Sequence, residues 1–285
     1  MPALIDLRRR IRSVKSTQQI TKAMKMVSAA RLRRSQERML ASRPFSSKML
    51  EVLTSLATRA NPENHPLLKV KGDQNVELMV VTADRGLCGS FNANLIKAAL
   101  HFLEERHNYN LSLHLIGKKG YEFFKKRRYA ITHSYLNIFR TLKFQDAHEI
   151  ADKSIQAYLD GNLDAIYIIY NEFKSMLQQR IVVQRLLPLE KVPEASAEQT
   201  LDYIYEPDPA TIFDRLLPMH LQIQIYHALL ESVAAEHAAR MSAMDAATKN
   251  AKEMIEALTL KMNKIRQAAI TKEIIEVVGG AEALS

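Results

Sequence analysis

Residues 223–269 read IQIYHALLESVAAEHAARMSAMDAATKNAKEMIEALTLKMNKIRQAA, a run with neither glycine nor proline. Within it Ile223, Tyr226, Leu230, Val233, His237, Met241, Met244, Thr248, Ala251, Ile255, Leu258, Met262, Ile265 and Ala269 follow one another at steps of three and four. A seam recurring about every 3.5 residues over several heptads stays on one side of an α-helix and marks a coiled coil. Upstream, Asp208 suits a helix cap and Pro209 a first helical position, and Pro218 marks a kink. Downstream, Gly279-Gly280 is expected to loosen the chain. A helix over 209–278 would be about 105 Å long, more than an ordinary globular core needs.

Working outward, the eight glycines leave a second long gap at the other end of the chain, from Pro2 past Pro44, where a bend is expected. Its apolar seam starts at Leu4, Leu7, Ile11 and Val14, drifts in phase to Ile20, Met24 and Val27, and returns at Met49, Leu53, Leu56 and Ala60. Between the two helices, strand signals (Val76–Thr82, Leu111–Ile116, Ala130–Tyr135, Ala165–Tyr170, Arg180–Leu187) alternate with helix signals (Phe91–Arg106, Lys118–Arg128, Ala147–Leu159). Such alternation predicts a small Rossmann-like α/β domain with a largely parallel sheet. Val192–Glu206 reads as its exit linker. The expected fold is therefore α/β: a long antiparallel coiled coil of N- and C-terminal helices plus that domain. The expected divisions are 1–59, 60–206 and 207–285. The second helix should overshoot the start of its partner by about 13 residues, or about 20 Å. Ile270, Ile274, Ile275, Val277 and Val278 would then lack intrachain cover, which calls for a surrounding protein.

The formal charge of +9 is concentrated, since residues 1–59 carry fourteen Lys and Arg against three acids. Residues 60–206 are balanced, and the last 79 residues are slightly acidic. An acidic partner should meet the N-terminal segment first. A single cysteine, Cys88, fits a reducing compartment, and no apolar run approaches the roughly 20 residues of a spanning helix. The N-terminal bases, Arg8, Arg9, Arg10 and Arg12 among them, suit nucleic acid, an anionic membrane or acidic protein loops. The first 44 residues contain no aromatic side chain to stack on bases. The nine histidines are scattered without zinc-site spacing, and structural roles are expected for them. The loop Thr82–Ser90 joins a strand to a helix, where phosphates and nucleophiles are often held. It lacks a Gly-Lys-Ser/Thr ending, G-x-G-x-x-G and G-x-C-x-G, so a tight structural turn is the expectation. A nucleotide-binding enzyme and a basic nucleic-acid-binding coiled coil remain as alternatives on these residues alone.

Three segments resemble the signature of the F-type ATP synthase gamma-subunit family. They are RSVKSTQQITKAMKMVSA at 12–29, DRGLCGSFN at 84–92, and RMSAMDAATKNA at 240–251 with NKIRQAAITKEI at 263–274. The resemblance implies a central rotor whose coiled coil enters a ring of alpha and beta subunits, with the globular part near epsilon and the membrane c-ring. Proton-driven rotation of that ring would be coupled to ATP synthesis in the beta subunits, with no catalytic residue, cofactor or metal in this chain and no nucleic-acid partner. By position in the signature, Met24, Lys25, Arg240, Arg266, Gln267 and Thr271 are expected to contact the catalytic head. Ile270, Ile274, Val277 and Val278 are expected to form an apolar bearing tip. Asp84, Arg85, Gly86, Cys88 and Gly89 form the family-marker turn, and Tyr203 and Tyr205 are weaker candidates for a contact at the base. The absence of a chloroplast-type cysteine insert and of a mitochondrial leader implies a bacterial enzyme, peripheral on the cytoplasmic face of the inner membrane.

Overall fold

A computed structural model describes residues 2–57, 65–176, 178–189, 206 and 208–282. Ala60, Tyr203, Tyr205 and the linker over 192–205 lie outside them. The elements in chain order are α1 (Pro2–Ala57), β1 (Asn75–Val81), α2 (Phe91–Glu105), β2 (Asn110–Ile116), α3 (Lys118–Phe124), β3 (Ala130–Tyr135), α4 (Phe144–Leu159), β4 (Ala165–Phe173), β5 (Gln179–Leu187) and α5 (Pro209–Glu282). Two compact units are distinguished, Met1–Ser28 with Met241–Ser285, and Ala29–Arg240. The cuts fall inside α1 and α5, because the inner parts of both helices belong to the core of the sheet.

In the unit Ala29–Arg240 the five strands are ordered β3-β2-β1-β4-β5. The first four are parallel, and β5 closes one edge antiparallel to β4. Central β1 is buried from Val76 to Val81 without alternation, as expected of a parallel strand covered on both faces. On one face Met79, Val81, Ile116, Ile166 and Ile168 pack with Ile150 and Tyr158 of α4, Leu53 and Leu56 of α1, and Phe213, Leu217 and Leu221 of α5. On the other, Leu78, Val80, Leu113 and Leu115 meet Leu95, Ala99 and Phe102 of α2 and Phe124 of α3.

Several expected boundaries move. Helix α3 stops at Phe124, before the four successive bases Lys125–Arg128, whose charges would repel within a helix. Helix α4 starts at Phe144 because Asp146 reaches back to accept the Lys143 amide at 2.7 Å. Asp208 does cap α5, accepting the Thr211 amide at 2.9 Å, but Gly279 does not end that helix, which runs on to Glu282.

The expected phase drift in α1 is also corrected. Leu4, Leu7, Ile11, Val14, Gln18, Thr21, Lys25, Ser28, Leu32, Ser35, Met39, Ser42, Ser46, Met49, Leu53 and Leu56 are buried or half-buried at unbroken steps of three and four. Ile20 and Val27 are exposed and Met24 is half-buried. The seam is lost from view only when apolar residues alone are followed, because Thr21, Ser28 and Ser35 occupy it as small polar residues. Two of these hydroxyls are satisfied within the helix: Thr21 Oγ1 bonds the Gln18 carbonyl and Ser35 Oγ the Arg31 carbonyl, both at 3.0 Å.

In the unit Met1–Ser28 with Met241–Ser285, α1 and α5 pair antiparallel. Thr21 and Thr248 share a 2.8 Å hydroxyl hydrogen bond, and Lys25 pairs with Asp245 at 2.5 Å. Nineteen positions back from Thr21 reach Pro2, and nineteen forward from Thr248 reach residue 267. Helix α5 beyond about that point therefore has no opposite number in α1. Among the described residues, no helix is long and apolar enough to cross a membrane.

Candidate functional site

The marker turn follows the C-terminal end of β1 and is tied on three sides within its unit. Asp84 Oδ1 accepts backbone amides from Lys118, at the start of α3, at 3.0 Å and from Asn137 at 2.9 Å. Asn92, in the first turn of α2, accepts the Ala83 amide at 2.9 Å and donates to Cys88 Sγ at 3.2 Å. From α5, Arg240 donates Nη2 to the carbonyls of Gly86 at 3.2 Å and Arg85 at 3.4 Å. Gly89 is left-handed at φ 59°, which suits a residue without Cβ, whereas Leu87 takes φ 64° and is exposed. Gly117 at φ +99° permits a close approach nearby, since a Cβ there would lie 1.9 Å from the Thr82 carbonyl oxygen.

A buried ion pair adds to the bracing of this turn. Arg240 is buried and pairs with Glu236, one helical turn earlier, at 2.6 Å. Burial raises the Glu236 carboxyl above its ordinary range, with Arg240 opposing that shift. Burial likewise raises the Cys88 thiol, with Arg240 opposing and Glu236 reinforcing, so the sulfur stays protonated and unreactive. Next to the pair, His237 is pushed down to about 4, chiefly by burial and further by the charges of Arg240 and Arg31. The helical spacing of Glu236 and Arg240 was readable as an ion pair. That its cation would reach two carbonyls of a loop some 155 residues earlier was not.

The other expected contact residues belong to the unit Met1–Ser28 with Met241–Ser285. Met24 is half-buried beside exposed Met26 and Val27. Lys25 is engaged with Asp245, whose carboxyl is held below its ordinary range by the hydrogen bonds from Lys25 and then Lys249. Arg266, Gln267 and Thr271 are exposed where the pairing of the two helices ends. Beside and beyond them Ile270, Ile274, Ile275, Val277 and Val278 are between 47% and 73% exposed. Arg240 lies in the other unit, where it faces the marker turn.

One grouping was not anticipated from the scattered histidines. Glu77, His114 and His133, on β1, β2 and β3, bring one donor atom each within 4.8 Å of one another. No short-range spacing signals this, because three strands separated in sequence supply the residues.

A family model described as ATP synthase matches residues 3–284. The chain is 49% identical over 287 residues to the ATP synthase gamma chain of Solibacter usitatus, covering 99% of both. It is also 49% identical over 284 residues to that of Pelotomaculum thermopropionicum, covering all of both. Among solved structures it is similar to a chain of the central stalk and c-ring of Tetrahymena thermophila mitochondrial ATP synthase. That match has a TM-score of 0.61 and 28% identity, covering 80% of this chain and 99% of that one. A chain of the Euglena gracilis mitochondrial ATP synthase shares the fold at a TM-score of 0.72 and 19% identity, over 99% and 95% of the two chains.

Proposed function

The chain belongs to the ATP synthase gamma-chain family, and from that membership we propose that it is the central rotor shaft of an F-type ATP synthase, with no catalytic site of its own. Proton flow through a membrane c-ring turns it, and its turning drives the beta subunits through the states that bind, make and release ATP. The observation that carries this reading is the end of α5. Five branched apolar side chains lie exposed past the point where α1 can cover them. A surface of this kind costs solubility in a free chain and is explained by an apolar sleeve. Directionless apolar contact suits a tip that must turn within such a sleeve, because no hydrogen bond has to break at each step.

The polar contacts follow the same logic. Arg266, Gln267 and Thr271 are exposed at the last paired turn and are assigned to a beta-subunit loop. Met24, with Met26 and Val27, presents flexible and apolar surface to the head. Lys25 acts from its pair with Asp245, and Arg240 acts by holding the marker turn and its stretch of α5. The exposed bases Arg8, Arg9, Arg10 and Arg12 meet acidic loops of the ring through screened attraction that follows a moving partner. Epsilon and the c-ring bind the α/β part, which places the chain peripherally on the cytoplasmic face of a bacterial inner membrane.

The test is recovery of a tagged full-length chain from its host, with the accompanying subunits identified by mass and ATP hydrolysis assayed on the complex and on the separated chain. Co-recovery of alpha, beta and epsilon, with hydrolysis in the complex and none in the separated chain, is expected. Turnover by the chain alone, or recovery of nucleic acid in place of those subunits, would overturn the reading.

A further inference from the structure

We infer that Glu77, His114 and His133 form a divalent metal site of the zinc type inside the α/β unit, bridging three adjacent parallel strands. Pairing of the strands explains how the residues meet. Glu77 stands opposite Ser112 on β2, so His114 is the next residue along the same face of that strand. His114 in turn stands opposite His133 on β3, after a register shift that passes over Thr132. All three are on the side of the sheet that α4 covers, where Ser154 reaches Glu77 Oε1 at 3.1 Å.

A hydrogen-bonded core network explains part of this cluster. Glu77 Oε2 accepts Thr132 Oγ1 at 2.8 Å, and Oε1, which accepts Ser154 Oγ, also lies 3.4 Å from His114 Nδ1. Burial works to raise the Glu77 carboxyl, but the hydrogen bonds from His114, Thr132 and Ser154 oppose it and hold it low. The network leaves two nitrogens unexplained. His114 is fully buried with Nε2 lacking any partner, and His133 Nδ1 is enclosed and equally unpartnered. Buried polar atoms are ordinarily satisfied, and orphans of this kind call for an ion, a water or a function. His114 Nδ1, already 3.4 Å from the Glu77 carboxylate, and a nitrogen of His133 make with that carboxylate the donor set of a three-ligand zinc centre, and with no thiolate and a single carboxylate the set favours zinc-like ions over copper(I), magnesium or calcium.

A tetrahedral ion with bonds of about 2.0–2.1 Å sets its donors about 3.4 Å apart, so the side chains must draw in by up to about 1.4 Å. Ligation would staple β1, β2 and β3 together and stabilise the unit as binding energy becomes folding energy.

The test uses the full chain, stripped with a chelator and titrated with Zn²⁺ and with Co²⁺. One Zn²⁺ per chain, a visible Co²⁺ absorption that Zn²⁺ abolishes, and a melting midpoint raised by Zn²⁺ and restored by chelator are expected. His133→Gln, at the most accessible ligand, and Glu77→Gln should each weaken Zn²⁺ binding at least about tenfold while the circular dichroism spectrum and cooperative melting persist. Wild type and His133→Gln taking up Zn²⁺ equally would assign the metal to scattered surface histidines and overturn the proposal. Failure of wild type to bind would do the same and leave the cluster as a hydrogen-bond network.

Discussion

Arg240 holds a carboxylate and two loop carbonyls through the same Nη2 of its guanidinium, and these partners are buried or backbone. Removing it strands Glu236 as an unpaired buried charge. Arg240→Ala should therefore cost about 3 kcal/mol in chemical denaturation, and Arg240→Leu with Glu236→Leu should recover most of it, because an apolar pair needs no desolvation. If the double variant regains stability but not ATP-driven proton pumping, Arg240 acts beyond bracing the turn. His237 supplies a pH test. Its folded pKa of about 4 lies below the unfolded 6.5, so between those values the unfolded chain binds the extra proton. Its contribution is complete above pH 6.5 and falls as pH is lowered, by about 2 kcal/mol at pH 5. Glu236, raised by burial, works in the opposite direction, so the measurement is the difference between proteins. His237→Leu should lose less stability from pH 7 to pH 5 than wild type does, and equal losses would contradict the assignment. At this scale the sequence was partly readable. Asp84 and Cys88 were recognisable as a structural turn, whereas the amides Asp84 accepts come from residues 118 and 137, which no local pattern connects to it.

Helix α1 shows what binary patterning misses at the scale of elements. A seam filled at Thr21, Ser28 and Ser35 by small hydroxyl residues keeps its period while losing its hydrophobicity, so the apolar residues Ile20 and Val27 suggested a false change of phase. The structure turns those two outward, where they are available to other subunits. In the unit Ala29–Arg240, Leu32 packs against Ala234 and Ala238, and small residues on α5 let the helices approach closely. Ala238→Leu should overpack this contact and cost about 1–3 kcal/mol, while Ser35→Ala, which deletes only a hydroxyl bonded within its own helix, should be close to neutral in the same denaturation measurement. The strands were legible because a parallel sheet covered on both faces writes itself as short continuous apolar runs, as in β1. Helix ends were less so: α4 starts where Asp146 closes back on Lys143, and α5 passes through Gly279, whose helix-weakening effect is too small to stop a long helix.

For the whole molecule, the sequence announced two long helices, an α/β core between them and an apolar end without cover, and the signature segments named the family. What it could not announce were groupings assembled by the sheet, such as Glu77 with His114 and His133, since those depend on strand order and register. The central claim is mechanical: this chain turns while the catalytic ring stays still. It is tested most directly by attaching a bead to a cysteine introduced at the exposed Lys126 (Lys126→Cys), where the buried, protonated Cys88 will not compete for the label. The chain is assembled with alpha and beta subunits anchored to a surface, and the bead is followed by microscopy as ATP is added. Sustained rotation in one direction, stopping when ATP is exhausted, is the predicted result. Full hydrolysis with a bead that only fluctuates about one position would contradict the account.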